Sequence, residues 1–118
     1  MKNINCIKGT FDILPETSEI WREVESAVHD FMYVHGFGEI RTPAFEKTEL
    51  FVRGIGDTTD IVNKEMYTWT DTDKAGTQLT LKPELTAPVV RSYIQHNLAG
   101  KNPIHRLYYI DSLFRRER

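Results

Sequence analysis

The residue pattern predicts an α+β fold, a largely antiparallel sheet flanked by helices. Three observations carry this expectation. Residues 17–35 hold an apolar stripe at three- and four-residue spacing. Two β-rich runs, at 65–70 and 77–82, are joined by a polar turn. The elements order as helix, strand, helix, hairpin, helix, strand, strand.

Residues 8–15 (KGTFDILP) form an entry segment of turn-type residues. In the first helix Ile20, Trp21, Val24, Ala27, Val28, Phe31, Met32 and His35 make one stripe, and Gly36 stands where a helix C′ glycine belongs. Phe37–Phe45 reads as extended. Pro43 donates no ladder hydrogen bond, so it places that strand at an edge or interrupts it. A short helix over Glu46–Val52 closes at Gly54-Ile55-Gly56. EMYTWT (65–70) and TQLTLK (77–82) flank Asp71–Gly76, which is hairpin chemistry. A helix over about 85–98 carries Val89, Val90, Tyr93, Ile94 and Leu98, with Pro88 in its first turn and Gly100 and Pro103 ending it. Ile104–Ile110 is apolar on both faces, as a buried central strand is. Asp111-Ser112 turns the chain into a last strand, Leu113–Arg118.

Composition sets limits. Fifteen Lys and Arg against seventeen Asp and Glu give a net charge of −2, which excludes a polycation binding nucleic acid by bulk charge. A single cysteine, Cys6, makes no internal disulfide and no cysteine-rich zinc site, and the reducing cytosol is the simplest compartment. No run approaches the ~20 apolar residues of a membrane span. The four histidines show no metal-ligand spacing, so no protein-ligated metal is expected. GIGD at 54–57 has two glycines, too few for a phosphate loop, and reads as a turn. Trp21 and Trp69 read as packing residues.

Two constellations carry chemistry. In Lys82-Pro83-Glu84-Leu85-Thr86 a strand enters a helix, with a carboxylate and a hydroxyl two residues apart. Such a pair accepts hydrogen bonds from an ammonium group. The simpler reading is that Glu84 and Thr86 cap the helix and complement its dipole, and the segment alone favours that reading. In Arg115-Arg116-Glu117-Arg118 strand periodicity puts Arg115 and Glu117 on one face. An inward arginine is a planar, bidentate donor for carboxylate or phosphate, while an outward one is a charge on a solvated edge strand. The segment alone leaves both open.

Taken in order, these segments resemble the class II histidyl-tRNA synthetase family from about Lys8 to Arg118. KGTFDILP is similar to the family's opening segment. The first helix followed by GFGEIRTPAFEKTELFVRGIG resembles motif 1, with Pro43 as its proline. TDIVNKEMYTWTD resembles the next family segment. LTLKPELTAPVVR resembles its Pro-Glu-x-Thr signature, and RLYYIDSLFRRER the start of motif 2 with Phe-Arg-x-Glu. Leu85 departs from the glycine or methionine frequent at its position.

The resemblance implies a homodimeric ligase, paired through motif 1, that forms histidyl-adenylate from histidine and ATP with Mg2+ and then charges tRNA(His). Glu84 and Thr86 would hold the α-amino group of histidine. Arg115 would bridge the substrate carboxylate and the α-phosphate, and Glu117 would contact the adenine amino group. The expected organisation is residues 1–118 as the N-terminal part of a class II catalytic domain, ending within motif 2, with no anticodon-binding domain. Such a piece is expected to be inactive alone. The parent protein is expected in the cytoplasm and off the membrane. The alternative is a synthetase-like regulatory subunit of histidine biosynthesis without aminoacylation activity. The presence of Glu84, Thr86, Arg115 and Glu117 together favours the ligase.

Overall fold

The computed structural model describes residues 1–55 and 65–116. The chain divides into two units, residues 1–37 and 38–118.

The first unit is built on helix α1, Pro15–Val34. Pro15 opens it, where a fixed φ and a missing N–H cost nothing. Gly36, at φ +77°, closes it. The Gly36 N–H donates to Tyr33 O at 3.1 Å and the Phe37 N–H to Met32 O at 2.9 Å, the paired bonds of a Schellman motif. His35 stacks on Phe31, and its Nδ1–H donates to the Phe31 carbonyl at 2.8 Å. The predicted stripe is present, yet none of its residues is buried, and Ile20, Trp21, Val24 and Phe31 are all exposed.

The second unit holds a three-stranded antiparallel sheet ordered β2 (Phe45–Lys47), β4 (Gln78–Leu81), β3 (Thr68–Thr70). The 77–82 run is therefore the central strand, and the predicted hairpin pairs Trp69 with Leu79. Its turn is fixed by Asp73, whose carboxylate accepts from the Thr77 N–H at 2.9 Å and the Thr77 hydroxyl at 2.7 Å. Those bonds hold the Asp73 carboxyl below the usual range. Trp69 is not a core residue. It stays 40% exposed and meets Phe45 edge-on across β4 at 5.7 Å.

Pro43 interrupts the extended segment. Residues before it form β1 (Gly38–Glu39), and residues after it form β2. Instead of continuing one antiparallel strand, β1 pairs in parallel with β5 (Leu107–Tyr108). Among the described residues this two-residue pair is the parallel element, and the other pairings are antiparallel. The buried central strand expected over 104–110 is thus corrected. Only Leu107–Tyr108 pair, both are half-buried, and Ile104 and Ile110 are exposed.

Helix α2 (Thr48–Ile55) starts two residues later than expected. Its Phe51 is fully buried. A Cβ built on Gly54 would stand 3.2 Å from Ala87 Cβ, so glycine sets how closely α2 approaches helix α3 (Thr86–Gln95). Helix α3 stops earlier than the predicted 98. Asn97 takes the left-handed conformation at φ 48°, which asparagine tolerates, and the chain re-enters a single turn, α4 (Leu98–Lys101). Gly100 therefore lies inside α4 rather than ending a longer helix. Arg91 of α3 donates Nε–H and Nη2–H to Glu46 Oε1 of β2 at 3.1 and 2.8 Å, which ties that helix to the sheet edge.

Gly56 and Asp57 of GIGD, together with Glu117 and Arg118, lie outside the described residues.

Candidate functional site

The central strand β4 delivers the site. Its inward residue Thr80 is fully buried, and its hydroxyl joins the Thr48 and Thr68 hydroxyls at 2.7 and 2.9 Å. Thr80 thereby ties the start of α2 and strand β3 to β4. Two residues on, at the same strand parity, Lys82 is 1% exposed. Pro83 then breaks the ladder, and Glu84 and Leu85 lead into α3.

Glu84 caps that helix. Its Oε2 accepts the Thr86 N–H at 2.7 Å and its Oε1 the Ala87 N–H at 2.8 Å. These amides are two of the orphan donors of a helix start, so the carboxylate is held by both oxygens. The structural reading of Glu84 is therefore correct as far as it goes. Each carboxylate oxygen still keeps a lone pair, so the cap orients an acceptor without exhausting it. Thr86 is exposed, and its Oγ1 lies 3.3 Å from the Tyr109 hydroxyl. Glu84 and Thr86 share a groove of about 370 Å³ with Leu50, Arg53, Gly54, Ala87 and Val90.

Arg115 is half-buried and reaches the same junction one residue earlier. Its Nε–H donates to Pro83 O at 2.7 Å. Arg115 does not line the groove of Glu84 and Thr86; the link is through the Pro83–Glu84 peptide. Its terminal nitrogens make no hydrogen bond among the described residues. The last strand expected over Leu113–Arg118 is not formed in its described residues, 113–116: Phe114 N–H donates to Lys82 O and Arg116 N–H to Glu65 O, single bonds to two different segments rather than a ladder along one partner strand. Arg115 turns to Pro83, and Arg116 lies over the Tyr67 ring at 5.5 Å. The expected partnership of Glu117 with Arg115 falls outside the described residues. Among them, no three His, Cys, Asp or Glu side chains group so as to hold a metal ion.

Sequence reasoning missed Lys82, Asp111 and Tyr109. Lys82 Nζ is paired with Asp111 Oδ2 and lies 3.3 Å from Thr42 O and 3.5 Å from Thr42 Oγ1. The lysine ammonium donating to Asp111 holds that carboxyl below the usual range, and the Ser112 N–H adds to the effect. Strand parity with Thr80 was the available signal for an inward Lys82. Nothing in YYIDS marks Asp111 as its partner rather than a turn residue.

Comparison with known proteins decides the family. The histidyl-tRNA synthetase family model matches residues 9–118. The chain belongs to the histidyl-tRNA synthetase family. It is 53% identical to the histidine–tRNA ligase of Chlorobium luteolum over 118 residues, all of this chain and 27% of that relative. It is also 53% identical over 111 residues to the histidine–tRNA ligase of Thermoanaerobacter pseudethanolicus, covering 94% of this chain and 26% of that relative. The chain thus spans about a quarter of the length of the curated relatives it matches. Among solved structures, the apo histidyl-tRNA synthetase of S. aureus superposes with a TM-score of 0.77 at 43% identity, covering 96% of this chain and 26% of that one. A Bacillus halodurans protein described as an ATP phosphoribosyltransferase regulatory subunit/histidyl-tRNA synthetase gives 0.74 at 25% identity, with 97% and 29% covered. The mixed helix-and-sheet fold with its antiparallel sheet is that of the family.

Proposed function

We propose that the chain forms the amino-acid-binding side of a histidine–tRNA ligase catalytic core. The observation that carries this is the Pro83–Thr86 junction, where a carboxylate fixed by two amides adjoins a peptide carbonyl that anchors an arginine.

In this reading Glu84 and Thr86 accept hydrogen bonds from the histidine ammonium. The oriented carboxylate adds charge to that contact. Arg115, fixed through Nε, offers its terminal nitrogens to the histidine carboxylate and the ATP α-phosphate. The carboxylate oxygen attacks the α-phosphorus, the bond to the bridging oxygen breaks, and pyrophosphate leaves with its electron pair. Negative charge crowds between two anions in that step, and a guanidinium already in place stabilises it without reorganising. It also aligns the reactants. ATP enters as substrate with its Mg2+, and the planar donor fork of Arg115 suits phosphate and carboxylate alike. Glu117 contacts the adenine amino group. The full gene product works as a homodimer paired around Pro43, charges tRNA(His) and resides in the cytoplasm.

Histidine-dependent ATP–pyrophosphate exchange by the full gene product tests this reading. Exchange above the no-histidine control supports it. Its absence, with histidine still bound, favours the regulatory-subunit alternative.

A further inference from the structure

Lys82 is almost wholly enclosed, and an enclosed ammonium is costly to keep. Replacing a buried ion pair as a whole by apolar side chains is often neutral or stabilising, so stability alone does not account for a Lys82–Asp111 pair here. Its surroundings do. The three N–H bonds of Nζ face three acceptors: Thr42 O, Thr42 Oγ1 and Asp111 Oδ2. Its backbone N–H donates to Ala44 O, and its carbonyl accepts from the Phe114 N–H at 2.9 Å. One residue therefore binds the 42–44 segment and the 111–114 segment by side chain and backbone together. The next two residues are Pro83, whose carbonyl anchors Arg115, and Glu84, whose carboxylate caps α3. Asp111 lies on the segment that carries Arg115, four positions before it.

We propose that Lys82, paired with Asp111, is a positioning residue that sets the spacing between the Glu84 carboxylate and the Arg115 guanidinium. The inference rests on the catalytic reading of those two residues. Lys82 itself does not meet substrate, because it is enclosed and its donors are occupied. Without the cross-brace, the 111–116 segment keeps the Phe114–Lys82 and Arg116–Glu65 backbone bonds and the Arg115–Pro83 bond, but its 111 end is no longer tied to Lys82 and the Thr42 segment, so the spacing between Arg115 and Glu84 is less tightly fixed. A misplacement on the order of 1 Å costs roughly 10²-fold in rate when reactants must be aligned.

The test is ATP–pyrophosphate exchange by the full gene product with Lys82→Met, Lys82→Arg, Asp111→Asn, Arg115→Ala and the double variant Lys82→Met/Arg115→Ala, alongside melting temperatures. The expected result is a fall in kcat of about tenfold or more in Lys82→Met and Asp111→Asn, per folded molecule, with recovery in Lys82→Arg. Because Lys82 acts through Arg115, Lys82→Met should add little to the loss already caused by Arg115→Ala. If Lys82→Met does not fold, Asp111→Asn decides, since that carboxylate is 40% exposed and its amide stays hydrated. Parental kcat in Asp111→Asn, or a lowered melting temperature with parental kcat in Lys82→Met, overturns the positioning role while a slow Arg115→Ala leaves the catalytic reading intact. Exchange at the parental rate in Arg115→Ala overturns the catalytic reading itself, and the positioning role with it.

Discussion

Arg115 donates its Nε–H to the carbonyl oxygen of Pro83 at 2.7 Å. The bond joins residues 32 positions apart and leaves the guanidinium fork directed by one nitrogen. The next residue, Glu84, turns both carboxylate oxygens onto the first amides of α3. A candidate cation site and a candidate anion site are therefore mounted on one peptide unit, and small changes there should be felt in histidine binding and turnover separately.

Glu84→Gln keeps a side chain that still accepts one helix amide, but removes the charge facing an ammonium. Hydrogen bonds to a charged acceptor are about twice as strong as neutral ones. The expected outcome in the full gene product is a KM for histidine raised about tenfold or more, with a smaller change in KM for ATP. Steady-state exchange kinetics at varied histidine check this.

Thr80→Val removes the hydroxyl shared by Thr48 and Thr68 while preserving shape. The hydroxyls of half-buried Thr48 and exposed Thr68 then lose a partner. A typical intramolecular hydrogen bond contributes about 0.5–1.5 kcal/mol net, so the unfolding midpoint should fall accordingly. Urea denaturation followed by circular dichroism measures it, and Thr80→Ser should restore most of the loss.

The Asp111 carboxyl sits below its usual value because Lys82 donates to its charged form. A carboxyl lowered in the folded state contributes stability that is complete above its unfolded value of about 3.9. That contribution disappears as pH falls through the lower folded value. The urea midpoints of the parental chain and Asp111→Asn should therefore differ at pH 6, begin to approach each other as pH falls below about 3.9, and converge only below the lower folded value. A difference that stayed constant across that window would contradict the assignment.

The exposed apolar residues of α1 (Ile20, Trp21, Val24 and Phe31) predict self-association. Phe31→Glu should weaken it tenfold or more, because burying one such side chain is worth about 1.5–3 kcal/mol. Sedimentation equilibrium reads the change. A parental chain that stays monomeric at high concentration would count against the proposed dimer.

Local chemistry was legible in the sequence where it determines its own outcome. Gly36 forces the Schellman close of α1, Pro43 breaks the extended segment, Asp71–Gly76 makes the hairpin turn, and Glu84 sits where a helix needs an acceptor. The β1–β5 pair was not legible, since two residues per strand carry no periodicity to detect. The apolar run at 104–110 suggested burial, but burial depends on neighbours that the run does not encode. Lys82 and Asp111 lie 29 residues apart, and only the fold reveals that they meet. At the candidate site, residue types and helix-junction placement came from the sequence. The anchoring of Arg115 on Pro83 and the bracing by Lys82 came from tertiary structure.

The most direct measurement is histidine-dependent ATP–pyrophosphate exchange by the full gene product carrying Arg115→Ala, compared with the parental enzyme at saturating ATP and histidine. Losing one fixed charge-stabilising donor should slow exchange by at least ~10²-fold, with the melting temperature and dimer largely preserved. Exchange at the parental rate would contradict the role of the Pro83–Arg115 junction in adenylate formation.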